Sequence, residues 1–355
     1  YADQDLINIV FKGKIKKIDC KYNMTQSHIN DLSIKKYNSI ITHYTGFFKP
    51  WTIGAFPSEK SFLYYRYLRL SPYFKYLNVA YFCIYNKVQY RFETDAIMPI
   101  QTGSCNSNIS LDMLDASSGK SIDYKNHNYG ELTAWYWVWQ NYIPQNPQIE
   151  YIGFCHYRRF LQFDICSVLN QSPLQKICLG DFVNNNADSY SVSKIYNFAK
   201  NYDIILPQKV KFKETILEQY LRYHPRKDYE ILKNIVKNDY PQYFDCMNDY
   251  FSSHEGYFFL NFLMKTEIFV MFATFMFDVL KKLEMQCDWT SYNTYENIRT
   301  PAFLIERFFN VWLIHNMIKY NWKIKEVNAY LIDEENEHSN LRLRKEYKHY
   351  YIYIL

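Results

Sequence analysis

Tyr151-Ile-Gly-Phe-Cys-His156-Tyr157-Arg158-Arg159-Phe160-Leu161 is the stretch on which the fold turns. An apolar run with the length of a buried strand stops abruptly in a histidine and two adjacent arginines. Three potential cations at the exposed end of a strand are costly unless something anionic sits against them. Open α/β sheets bind their ligands beyond the carboxyl ends of their strands. Arginine offers a planar, permanently charged fork that matches phosphate oxygens. The stretch therefore predicts an α/β sheet whose edge holds a phosphate-bearing ligand, most simply a nucleotide sugar.

The surrounding sequence supports that architecture. Upstream, Val79-Ala-Tyr-Phe-Cys-Ile84 reads as a first buried strand, and 149–155 as the strand that delivers His156. Between them, 104–128 is polar and loop-like. Residues 129–142 have helical periodicity, with Leu132, Trp135, Tyr136 and Trp139 on one stripe and Pro144 and Pro147 beyond its end. Downstream, 202–207 reads as a strand, with helices expected around 213–223, 226–238, 266–284 and 301–319. Strands alternating with helices indicate a mixed, mostly parallel sheet. The apolar stretch 258–280 is interrupted by Lys265, Glu267 and Asp278, which fits a buried helix better than a membrane span.

Residues 1–75 differ in character from the rest of the chain. They hold a short amphipathic helix at 3–11, loop and strand material ending at Lys49-Pro50-Trp51, and a helical stretch at 58–70. So few core positions cannot bury a stable core alone. The chain starts at Tyr1 inside what reads as a helix, so the expectation is a fragment. Its parts would be 1–75 as the tail of one domain, 77–320 as a second domain and 321–355 as a C-terminal extension.

Composition narrows the function only a little. Among 355 residues, 41 Lys and Arg against 36 Asp and Glu leave an excess of 5, and no basic run is long enough to suggest nucleic acid. That charge is compatible with mild attraction to an anionic membrane surface. The 36 Tyr and 26 Phe accompany few glycines, as an AT-rich genome would produce, and carry no functional weight. The eight cysteines contain no C-x-x-C pair and no zinc spacing, so free thiols in a reducing, cytoplasmic setting are expected.

In His43-Tyr-Thr-Gly46-Phe-Phe-Lys49-Pro50-Trp51, His43 can coordinate a divalent cation. Gly46 lets the backbone approach a diphosphate, and Lys49 can neutralise it. Together with Tyr1-Ala-Asp3-Gln4-Asp5 and Lys21-Tyr22-Asn23, this segment closely resembles the C-terminal part of family-eight retaining glycosyltransferases. The resemblance implies a manganese site completed by His43. It also implies a UDP diphosphate held by Gly46 and Lys49, and a sugar site lined by Asp3 and Gln4. The family's Asp-x-Asp motif is not in this chain, so no independent activity is expected of 1–75.

A second resemblance covers about 79–315. Met98-Pro-Ile-Gln-Thr-Gly103, Lys125-Asn126, Tyr129-Gly-Glu131-Leu-Thr-Ala134, Gly153-Phe-Cys-His-Tyr-Arg-Arg159, Asn261 with Met264, and Arg299-Thr-Pro-Ala-Phe-Leu-Ile-Glu306-Arg307 carry it. They resemble a bacterial family labelled a domain of unknown function. It occurs among capsule, lipopolysaccharide and exopolysaccharide synthesis genes and is regarded as a glycosyltransferase. The resemblance implies a GT-A-like fold, a nucleotide-sugar donor and a glycan or lipid-linked glycan acceptor. Peripheral association with the cytoplasmic face of the inner membrane is carried as an expectation with it.

In GT-A transferases the corresponding strand ends in acidic metal ligands, whereas here it ends in His156, Arg158 and Arg159. These are expected to neutralise the diphosphate directly, so that this domain depends less on a metal than the family-eight part; the alternative is a metal held by Asp112, Asp115 or another loop carboxylate. The competing role for the arginines is bracing the fold against Glu131 and Glu306. Glu131 and Asn126, at a helix start, are equally suited to capping and to the site. Glu306 lies in an apolar run and needs a partner, Arg307 or an arginine of the His-Tyr-Arg-Arg loop; a general base is its second role. Asp112 and Asp115 suit a solvated loop better than a metal, and His254-Glu255-Gly256 could be an acceptor-side loop. Two other functions would use the same features: phosphoryl or phosphosugar transfer, and non-catalytic sugar or nucleotide binding.

Overall fold

The computed structural model describes residues 77–87, 91–111, 113–163 and 173–333, together with 24–25, 42–43, 64–65, 67–68 and 71. A ten-stranded sheet organises them. Its main path runs Ile324–Val327, Ile204–Pro207, Phe262–Lys265, Tyr151–His156, Val79–Tyr85, Ile97–Gln101, Leu114–Asp115. All are parallel except Phe262–Lys265, which is antiparallel to both neighbours. Tyr151–His156 is thus central, flanked by Val79–Tyr85 on one side and the reversed strand on the other. At its end the chain doubles back as Arg159–Leu161, which pairs with Ala329–Ile332, and that strand pairs with Leu174–Ile177.

Both faces of the sheet are covered, which is why its strands read as continuous apolar runs rather than alternating ones. Along Val79–Tyr85, Ala80, Phe82 and Ile84 face one apolar cluster and Val79, Tyr81, Cys83 and Tyr85 face the other. Helices Arg226–Asp239, Phe244–Ser252, Thr266–Glu284 and Thr300–Tyr320 build the first cluster; Leu179–Asn186 and Val192–Ala199 build the second. Gly153, in the middle of the central strand, is dictated by closeness. A Cβ there would lie 2.4 Å from Tyr81 Cδ2 and 2.6 Å from the Phe262 carbonyl oxygen. Because one obstacle is backbone, Gly153→Ala is expected to cost about 1–3 kcal/mol. It should be read as a lower urea midpoint at unchanged m value.

The strands expected near 79, 149 and 202 are present, and three of the four expected helices match to within a residue or two. The fourth is Ile216–Leu221, started by a capping box in which Thr215 and Glu218 bond reciprocally. Elsewhere the structure departs from expectation. The stretch 258–280 is not one buried helix: Phe259 and Leu260 have positive φ (75° and 48°), Phe262–Lys265 is a strand, and the helix starts only at Thr266. The helix expected at 129–142 breaks at Gly130 (φ 53°), resumes at Leu132 and continues through a π-helical turn at Val138–Tyr142 to Gln145. That wider turn lies just before Pro144, where the helical ladder loses a donor. Residues 324–332, within the expected C-terminal extension, supply two strands of the same sheet. Among the described residues no helix is long and apolar enough to cross a membrane.

Candidate active site

The reversal at the end of the central strand builds the site. His156 pairs antiparallel with Arg159 across the two-residue turn Tyr157-Arg158. Residues directly opposite in an antiparallel pair project to the same face, so His156 and Arg159 are aimed together by register. Both line a cavity of about 360 Å³ at the carboxyl edge of the sheet. Its wall also takes in Lys87 and Thr102 from the ends of neighbouring strands. Asn126, Gly130 and Glu131 come from the broken helix, and Phe259 and Leu260 from the left-handed turn. Arg299, Phe303 and Glu306 come from around the start of the long helix Thr300–Tyr320.

Four cations, Lys87, Arg158, Arg159 and Arg299, thus face two carboxylates, Glu131 and Glu306. The guanidinium of Arg159 lies over the Phe259 ring (4.8 Å), that of Arg158 over Tyr157 (5.5 Å), and Lys87 Nζ over Tyr157 from 5.7 Å. The Nε atoms of Arg159 and Arg299 are buried and have no hydrogen-bond partner. Buried donors in native proteins are normally satisfied, so these two are open to a ligand's oxygens. Gly130 makes room for Arg299, since a Cβ at 130 would lie 2.0 Å from Arg299 Nη2.

The carboxylates differ. Glu131 stands at a helix start but makes no capping bond; its Oε1 lies 4.0 Å from His156 Nε2. Burial pushes its carboxyl up to about 7, against the opposing pull of Arg159 and Arg299. Glu306 is held in place: it accepts the Phe259 N–H at 2.8 Å and sits 3.7 Å from Arg307, the partner that its apolar setting demanded. Burial raises its pKa as well. Glu306 thereby fastens the strained Phe259-Leu260 turn that carries the ring beneath Arg159. Asn126 braces the break in the helix, donating to the Gly130 carbonyl (2.9 Å) and to Thr133 Oγ1 (3.1 Å).

One expectation is corrected. The sequence groups His156 with the cations, but burial, reinforced by Arg159, Arg158, Arg299 and Lys87, pushes its pKa down to about 3. It is a neutral imidazole at neutral pH, a hydrogen-bonding group and not a charge. The wall also contains two cations not singled out for it in the sequence, Lys87 and Arg299. Arg299 opens one of the motifs that carry the family resemblance, so it was visible but unassigned; Lys87 lies just past the end of a strand with no local signal.

A divalent metal does not fit this donor set. Among the described residues no three His, Cys, Asp or Glu side chains converge. Asp115 is occupied by Ser104 Oγ (2.6 Å) and the Ser117 N–H (2.8 Å). Asp112 lies outside the described residues, as do Asp3, Gln4, Gly46 and Lys49. For His43 only the backbone is described, in a short parallel pair with Thr25.

A mostly parallel sheet with one reversed strand beside its central strand, and a cationic cavity at its carboxyl edge, defines the class: a GT-A-like glycosyltransferase fold. Residues 80–317 match the family described as "Domain of unknown function (DUF4422)", and the chain belongs to that family. Residues 1–54 match glycosyl transferase family 8. Among solved structures the chain is similar to the apo form of the WbbM bifunctional glycosyltransferase, with 26% identity and a TM-score of 0.66. The match covers 72% of this chain and 46% of that one, so the chain spans about half the length of the structure it matches. No curated protein matches it.

Proposed function

We propose that the described domain moves a hexosyl group from a nucleotide-sugar donor, with UDP as the expected nucleotide, to a growing bacterial surface polysaccharide of the capsule, lipopolysaccharide or exopolysaccharide kind. In this proposal it is one of two transferases on a longer, cytoplasmic chain that works at the inner membrane. The observation that carries it is a cavity with four cations, two of them with unsatisfied buried donors, facing a carboxyl poised near neutrality.

That arrangement supports the following chemistry. As the bond between the sugar's anomeric carbon and the diphosphate breaks, negative charge gathers on the leaving oxygen. Fixed guanidinium groups of Arg158, Arg159 and Arg299 meet it without reorganisation, each at about 1.5–3 kcal/mol. The acceptor hydroxyl forms the new bond to that carbon, and Glu131 receives its proton. Glu306, already bonded to Phe259, positions the turn beneath Arg159 instead of exchanging protons.

The full chain, given UDP-sugars without acceptor, should slowly release UDP. A phosphoryl transferase would release a different product, and a binding module would release none. Release by this domain should persist in EDTA. Loss in EDTA with recovery in manganese would mean that a metal, not the arginines, neutralises the diphosphate; the family-eight part is where manganese dependence is proposed, through His43.

A further inference from the structure

A second cavity, of about 570 Å³, lies along the same helix as the first. On Thr300–Tyr320, Ala302 and Glu306 line the catalytic cavity, while Asn310, Ile314 and Ile318 line the second. These five positions are spaced four apart and form one ridge that winds around the helix, by about 40° per step. At a rise of 1.5 Å per residue, Ile314 lies ~12 Å along the axis from Glu306. The loop opposite is shared in the same way: Gly256 and Tyr257 face the second cavity, and Phe259 and Leu260 the first. That loop is fastened to the helix: Asn310 accepts the Tyr257 N–H at 2.6 Å and donates to the Tyr257 carbonyl at 2.9 Å.

The two cavities differ in charge. In the second, Lys209 is paired with Glu255 at 2.8 Å, and Asp249 offsets Lys319. With charges balanced at the rim, nothing selects an anion. Its apolar lining is Tyr250, Tyr257, Ile314 and Ile318; the tyrosines show only their edges, and Ile318 is 74% exposed. Apolar lining interspersed with hydrogen-bonding groups suits a molecule with C–H faces and many hydroxyls. Glu255 and Gly256 belong to the loop for which an acceptor-side role was expected, and both line this cavity.

We infer that this second cavity is a subsite for the neutral glycan of the acceptor, holding saccharide units behind the one whose hydroxyl enters the catalytic cavity. The inference rests on the transferase role of the first cavity and adds the substrate class that the enzyme grips beyond it. A subsite removed from the reacting centre contributes to acceptor binding, so its loss should raise KM more than it lowers kcat.

The test monitors Ile Cδ1 methyl resonances in the full chain on titration with methyl hexosides and with neutral hexose tetrasaccharides of gluco, galacto and manno configuration. At least one tetrasaccharide should shift Ile314 and Ile318, with the methyl hexosides binding about tenfold more weakly or not at all. Ile314→Trp should abolish the shift, and Ile318→Glu, at an exposed position, should do so without a risk to folding. UDP affinity should be unchanged in both variants. The inference is overturned if no tetrasaccharide binds, if binding is unaffected by both substitutions, or if only octyl chains or UDP shift these methyls. UDP binding that depends on Arg159 while no saccharide binds would end the subsite alone. Failure of UDP to bind the wild-type chain would end the transferase assignment instead.

Discussion

Glu131→Gln is expected to lower turnover by about 10²–10⁴-fold, the usual contribution of a positioned general base. Glu131 can act as a base only when deprotonated, and burial holds its carboxyl at about 7. Wild-type kcat should therefore rise about tenfold per pH unit on the acid side of about 7 and level off above it, whereas the glutamine variant should be flat through that range. Stability should move the other way. A carboxyl raised in the folded state gives a contribution that is fully present below its unfolded pKa of about 4.3 and is lost as pH rises through about 7. At pH ~8 the variant, which has no charge to bury, should thus unfold at the same or a higher temperature than wild type. Unchanged turnover together with a lower Tm would assign Glu131 to bracing the helix start. Glu306→Gln is the contrast: the amide oxygen can still accept the Phe259 N–H, so a smaller loss and a retained pH profile are expected.

Much of this was legible in sequence because the decisive signals are local. The run 151–155 reads as a buried strand, and its cationic end called for an anion or a carboxylate against it. The long helices were legible from periodicity; the capping box at Thr215 became visible only in the structure. What was not legible depends on partners distant in sequence. Phe262–Lys265 is a strand because Tyr151–His156 and Ile204–Pro207 offer it two edges; alone, it continues the apolar run of the next helix. Residues 324–332 lack periodicity, yet two sheet edges capture them. In the site, the type of each residue was visible but not its charge state. His156 became neutral only through burial beside cations from three other places in the chain: Lys87, the adjacent arginines and Arg299.

Arg159→Ala is expected to weaken UDP binding by about tenfold to a hundredfold. This corresponds to the roughly 1.5–3 kcal/mol of a charge-assisted contact at 1.4 kcal/mol per decade. Thermal stability should hold or rise slightly, because the side chain's buried Nε is unsatisfied and its charge is crowded by Arg158, Arg299 and Lys87. A second readout separates this from a bracing role. Arg159 is the foremost charge holding the His156 pKa down, after burial itself, so the imidazole of His156 should titrate at a higher pH in the variant, visible by NMR. Arg159→Lys should restore the depression of His156, which needs only a positive charge, but recover UDP affinity only in part, since the forked geometry that grips two oxygens is lost. Arg299→Ala should weaken UDP binding in the same direction, as the other cation with a free buried donor. If UDP affinity is unchanged in both alanine variants while Tm drops, the arginines brace the fold and the anion must be held elsewhere. If affinity falls and the lysine variant restores it completely, a simple point charge suffices. The fixed fork would then have no part in replacing the metal ligands expected at this strand end.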